Sequence, residues 1–204
     1  MKSFEKIYDN VKKTTAVVGE RLDRQRNLFR AEAEEKSSIT ERGLEEYESS
    51  LKINRDNLKG KKVLDIGSGT MRFAKEALEE GIQVYALDPY LKSEENINQS
   101  FMEKGGRKYA TAARGQQLPY TNQQFDYIFS LYGLMWVPNQ EDLELSVKEA
   151  CRVLKPGGEI RIYPLLSDQL SIKLRNWLQE NKYVIEHEES LLVIYKWSGA
   201  FNRL

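Results

Sequence analysis

The chain has 204 residues, enough for one sizeable α/β domain with an appendage and too few for two full domains. Its 31 Lys and Arg balance 31 Asp and Glu, so no excess positive charge is on hand to hold a polyanion, and nucleic acid is disfavoured as a partner. One cysteine, Cys151, and one histidine, His187, are too few for a Cys/His metal cluster or a Cys-His nucleophile pair; no metal is expected, and the lack of a membrane-length apolar run or a signal-peptide layout points to the cytoplasm.

The first sixty residues carry dense charge and few glycines. Val18, Leu22 and Phe29 recur at a helical period, with arginines and glutamates on the other face. Ser38 followed by Glu41 fits a capping box, and Leu44, Tyr47 and Leu51 then keep one face of a further helix apolar. Residues 1–58 are read as an N-terminal helical segment and 59–204 as the α/β domain.

From Lys61 the pattern changes to short apolar runs between amphipathic segments, which predicts strands joined by crossover helices into a parallel sheet. The strands are "KVLDIG", "QVYALD", a short "KYATAA", "FDYIFSLYGL" and "GEIRIYPLL", with "KPGG" turning a helix into the fifth. A helix, "LSIKLRNWLQENK", then leads to "YVIEHEE" and "LLVIYKW", predicted as antiparallel neighbours. His187 falls in the first of these as a partly exposed strand residue.

Gly67 and Gly69 follow the first strand, where glycine lets the backbone approach a ligand and the next helix offers free N–H groups. A dinucleotide fingerprint needs G-x-G-x-x-G, but G-S-G-T-M-R puts Arg72 at the third glycine. Asp65, two residues before Gly67, would repel a pyrophosphate and suit a ligand bearing an amino group and a sulfonium, so S-adenosylmethionine is favoured. Asp88 ends the second strand, where a carboxylate accepts both hydrogen bonds of a ribose diol, and Pro89 and Tyr90 offer a flat surface to adenine.

With these motifs in order, Lys61 to Leu166 resembles the class I S-adenosylmethionine-dependent methyltransferases, especially the small-molecule type. "VLDIGSGT" is similar to the family's first motif and "ALDPY" to its ribose-binding strand end. "LPYTNQQFDYIFSLYGLMWV" is similar to the segment entering the fourth strand, and "EACRVLKPGGEIRIYPLL" to the helix, turn and fifth strand that follow. The resemblance implies an α/β fold: a doubly wound, Rossmann-like seven-stranded sheet, mostly parallel with an antiparallel last strand, plus the N-terminal helices. It also implies S-adenosyl-L-methionine as cofactor, S-adenosyl-L-homocysteine as product and a small-molecule acceptor. The cofactor-binding set it suggests is Asp65, Gly67, Ser68, Gly69, Asp88, Pro89, Gly115, Gln116 and Leu131.

The chain departs from the family at two positions. Met71 stands where a glycine is common; because it does not readily take a positive φ, the turn is expected to finish within Gly69, the helix to begin at or just after Thr70, and the methionine to serve as apolar filler. Arg114 stands where an acid commonly holds the adenine amino group, and arginine has no acceptor to offer. Backbone groups of Gly115 and Gln116, or the Gln116 amide, are the substitutes; the alternative is that Arg114 points to solvent or pairs with Asp88 in a site that no longer binds the cofactor.

Methyl transfer from a sulfonium is an in-line displacement in which positioning and water exclusion do most of the work, so a base is optional. "SLYGLMWVPNQ" lies at the carboxyl edge of the sheet, with Tyr132 the candidate catalytic residue and Tyr8, Tyr132, Trp136 and Tyr163 candidates for the acceptor. The resemblance implies that residues 1–58 are an N-terminal helical cap or lid over this edge and 59–204 the S-adenosylmethionine-binding methyltransferase domain; the lid would bring Arg26 and Arg30 toward the acceptor, the alternative being that they belong to a solvated helix face. Two other functions fit the residues: a non-catalytic or regulatory protein with a degenerate pocket, and an RNA- or protein-directed methyltransferase using Lys12, Lys13, Arg21 and Arg24.

Overall fold

A computed structural model describes residues 42–91 and 99–197, all within one compact unit, Ser38–Leu204. The expected helix around Val18, Leu22 and Phe29, the Ser38–Glu41 capping box and Tyr8 lie outside the described residues. In chain order the elements are α1 (Leu44–Leu51), β1 (Lys62–Ile66), α2 (Arg72–Glu79), β2 (Gln83–Leu87), α3 (Gln99–Glu103) and β3 (Ala110–Thr111). They continue with β4 (Phe125–Leu131), α4 (Gln140–Val153), β5 (Leu154–Tyr163), α5 (Ile172–Glu180), β6 (Tyr183–Glu188) and β7 (Leu191–Lys196).

The seven strands form one sheet in the order β3-β2-β1-β4-β5-β7-β6. β1 pairs in parallel with β2 and β4, and β5 continues the parallel run, while β7 is antiparallel to both β5 and β6. The expected mostly parallel sheet with an antiparallel last strand is therefore present. Strand order reverses between β1 and β4, and a crevice for ligands opens outside the carboxyl ends at such a switch point. β5 starts earlier than the "GEIRIYPLL" reading: it includes "KPGG" and slips register against Phe125–Tyr127, because Gly157 takes a positive φ of 78°.

Alternation along the strands divides the core between two faces. Leu64, Ile66, Ile128, Ile160 and Ile162 pack against α4 and α5, whereas Val63, Val84, Ala86, Phe129 and Leu131 pack against α1 and α2. α1, inside the 1–58 segment, contributes Leu44, Tyr47 and Leu51 to the second cluster. Its start is fastened twice: the Glu46 carboxylate accepts from the Gly43 amide at 2.8 Å, and Glu76 of α2 accepts from Leu44 N at 2.7 Å. At its other end the guanidinium of Arg161 on β5 donates to the carbonyls of Leu51 and Lys52 at 2.6 and 2.9 Å.

Met71 corrects the sequence reading. It adopts the left-handed region (φ 62°, ψ 26°) as the residue before α2, so the turn extends past Gly69 and the helix starts at Arg72. Burial explains why this conformation is held: the side chain is fully buried in the α1–α2 cluster, Met71 N donates to Ser68 O, and its own carbonyl accepts from Lys75 N. The side chain is the expected apolar filler, while the backbone departs from the expected conformation. Met71→Gly should relieve roughly 1–2 kcal/mol of left-handed strain but lose about 2–5 kcal/mol of buried side chain, leaving the chain less stable in urea unfolding. A stabilised variant would refute this balance.

Candidate active site

Two carboxylates stand at the carboxyl ends of adjacent strands. Asp65, the only acid in the apolar run of β1, faces α1 and is fully buried, and the Tyr47 hydroxyl donates to both its oxygens at 2.9 Å. Tyr47 is held in place by stacking on Phe73, with ring centroids 3.8 Å apart. Burial pushes the Asp65 carboxyl up to about 7, against the downward pull of the Tyr47 hydrogen bond and the Arg42 charge, with Asp88 adding to the rise. Burial also raises Tyr47 well above the ordinary phenol range.

Asp88 follows β2 and takes one backbone amide on each oxygen, Gly69 N at 3.1 Å and Tyr90 N at 2.9 Å. Burial raises its pKa, and these two amides oppose the rise. Each oxygen keeps a further lone pair, so a diol can still be bound. The loop between the carboxylates is pinned to β2: Gly67 N and Ser68 N both donate to the Leu87 carbonyl, at 2.8 and 3.2 Å. Ser68 is buried, and its hydroxyl has no hydrogen-bond partner among the described residues.

Gly67 has φ 82°, and a β-carbon there would overlap the α-carbon of Gly133 in the loop after β4. The loops after β1 and β4 thus touch backbone to backbone. Ser130, the lone hydroxyl in the apolar end of β4, fastens them by donating to Ile66 O and accepting from Leu134 N, both at 2.9 Å. Beyond Ser130, Leu131 is fully buried, while Tyr132 is half-buried with φ 61° and donates its amide to Tyr163 O at 2.6 Å. The Tyr132 and Tyr163 rings meet edge to face at 5.8 Å, and the Arg42 guanidinium carbon lies 5.0 Å from the Tyr132 ring centre.

The structure therefore gathers Asp65, Gly67, Ser68, Gly69, Asp88, Leu131, Tyr132 and Tyr163 along the carboxyl edge. Gly115 packs tightly on Ile66, Leu134 and Ser146, Gln116 is half-exposed, and Pro89 is exposed beside Asp88. Trp136, in a single turn after β4, is 41% exposed and does not enter the core. Arg114 is exposed and makes no ion pair with Asp88 among the described residues. Away from this edge, Cys151 is buried with its thiol pushed up to about 12 by burial, and His187 on β6 makes a hydrogen bond to Leu165 O at 2.6 Å.

Four residues of this edge had not been singled out from the sequence for a site: Arg42, Tyr47, Ser130 and Gly133. Ser130 and Gly133 carried a signal, a lone hydroxyl ending an apolar strand and a glycine just beyond it. Tyr47 counted only as part of an apolar helix face, and nothing local marks Arg42.

These groups fit S-adenosylmethionine: a buried acid stands two residues before the first loop, a second acid offers lone pairs to a ribose diol, and a buried hydroxyl lacks a partner among the described residues. The family described as "Methyltransferase domain" matches residues 64–162. The chain is 32% identical to the biotin biosynthesis bifunctional protein BioHC of Cellvibrio japonicus, over 60% of this chain and 23% of that protein. It is 31% identical to the sterol 4-C-methyltransferase strm-1 of Caenorhabditis elegans, over 63% of this chain and 35% of that one. With the demethylmenaquinone methyltransferase of Anoxybacillus flavithermus the identity is 32%, over 50% of this chain and 44% of the relative. The match spans less than half the length of each of these relatives. Among solved structures, the YcgJ protein of Bacillus subtilis shares the fold with a TM-score of 0.50 at 20% identity, covering 68% of this chain and 69% of that one.

Proposed function

We propose that the chain catalyses methyl transfer from S-adenosylmethionine to a small-molecule acceptor through an O, N or C nucleophile. The observation that carries this reading is the pair of buried carboxylates, Asp65 and Asp88, at the ends of adjacent strands beside the switch point. The bound cofactor supplies an electrophilic methyl group on a sulfonium. Asp88 holds the ribose diol, and Asp65, with Ser68 and Gly69 beside it, faces the methionyl end. Gly115 and Gln116 border the adenine. Leu131 and the Tyr132–Tyr163 pair exclude water at the edge where the acceptor lies, and Tyr132 orients the nucleophile. The relatives' printed names, covering biotin biosynthesis, a sterol and a menaquinone, support a small-molecule acceptor. Residues 1–58 are proposed as an N-terminal helical cap, of which α1 is the described helix.

Calorimetry with S-adenosylhomocysteine is the direct test, and no binding by the unaltered chain would remove the reading. Asp88→Ala should weaken binding by about 1–3 kcal/mol, the cost of lost charged hydrogen bonds, against little change for an exposed acid such as Asp168→Ala.

A further inference from the structure

At the edge opposite the candidate active site, where α4 and α5 end and β4 and β5 begin, the surface holds a cavity of about 410 Å³, a size found among small-molecule sites. Two ammonium groups and two rings stand along its wall. Lys148 Nζ lies 5.4 Å from the Trp177 ring centre, Trp177 stacks on Tyr183 with centroids 6.0 Å apart, and Lys196 Nζ lies 5.9 Å from the Tyr183 ring. Such contacts hold a cation in place without cancelling its charge. The acid of the wall, Glu149, is bound by Arg152, and neither lysine has a carboxylate partner among the described residues. Arg152 is fully engaged: its N–H groups go to Glu149, to Asn122 and to the carbonyls of Leu118 and Tyr120. Lys196 donates to the carbonyls of Cys151 and Leu154 at 3.3 and 2.8 Å, which leaves one N–H, and burial holds its ammonium below the usual lysine range. Lys148 makes no hydrogen bond among the described residues, so all its donors are open to a ligand.

We propose that this cavity is a second ligand site, for a phosphate monoester carried on a flat ring. Two unmatched ammonium charges suit a dianion, which a phosphate monoester is near neutral pH and a single carboxylate is not. The phosphate lies between Lys148 and Lys196, and the ring lies along the Trp177–Tyr183 pair. Asn122 and Gln123 border the cavity with amide donors. The site does not rest on the methyltransferase reading. α4 starts in the loop after β4 and ends at this cavity, and its 14 residues put roughly 20 Å between the two edges. Both sites can therefore be filled at once.

Calorimetry on the full chain with 1-naphthyl phosphate, alone and with S-adenosylhomocysteine in excess, tests the site. The aryl phosphate should bind equally well in both, and inorganic phosphate should bind about tenfold more weakly for want of the ring contacts. Lys148→Gln should weaken 1-naphthyl phosphate by about tenfold, and Lys148→Arg, which keeps the charge, should restore most of the affinity. Lys173→Gln, at an exposed lysine of α5 outside the cavity, should change nothing. Competition with S-adenosylhomocysteine overturns the proposal, because the anion would then sit at the carboxyl edge. Equal losses in Lys148→Gln and Lys173→Gln overturn it as an effect of diffuse surface charge. So does equal binding of 1-naphthoate, which carries the ring with one charge, and so does the absence of binding at millimolar 1-naphthyl phosphate.

Discussion

Gly67→Ala is expected to destabilise the chain by about 2–5 kcal/mol and to abolish S-adenosylhomocysteine binding even at temperatures where the variant is folded. Two costs combine. The positive φ of 82° costs an L-residue about 1–2 kcal/mol, and the added methyl meets the Gly133 backbone, an overpacking of about 1–3 kcal/mol that no rotamer can relieve. The internal control is Gly81, with φ 77° and nothing within 4 Å of a built β-carbon. Gly81→Ala carries the backbone cost alone, about 1–2 kcal/mol, and should bind normally. Equal losses for the two variants in urea unfolding would show that the loops after β1 and β4 do not touch.

The second large effect is a dependence on pH. Burial raises Asp65 to about 7 in the folded chain, against roughly 3.9 for an unfolded aspartate. Between these values the native state holds a proton that the unfolded state has released. The contribution of Asp65 to stability is therefore complete below about pH 4, falls as pH rises, and is lost above about 7. Asp65→Asn removes this titration. The stability of the variant relative to the unaltered chain should climb with pH across that window, by up to about 1.4 kcal/mol per unit, and be level on either side. Taking the difference cancels Glu48, Glu76, Asp126 and Glu149, whose lowered values give the opposite slope at acid pH. On the proposed function, S-adenosylhomocysteine binding should also weaken in Asp65→Asn, which removes the carboxylate proposed to face the ammonium. A difference that stays flat from pH 4 to 8 would mean that Asp65 is not desolvated in the fold.

Much of the sheet was legible because its central strands are largely buried on both faces and read as apolar runs between glycine and proline punctuation. What local pattern could not show was decided by tertiary contact. Met71 reads as a residue that avoids positive φ, yet its buried side chain holds it there. Gly67 reads as room for a ligand, and half its reason is Gly133, 66 positions along the chain. Tyr47 reads as helix core; its hydroxyl meets Asp65 only because α1 packs over β1. Asp65 and Asp88 were found because an acid ending an apolar strand is conspicuous, whereas Arg42 sits in charged sequence that looks like any solvated stretch.

The Gly67–Gly133 contact also bears on how such a chain can vary. Neither position can acquire a side chain while the other backbone stays in place, and the Ser130 bridge keeps both there. A side chain gained at either glycine therefore requires the two loops to be respaced.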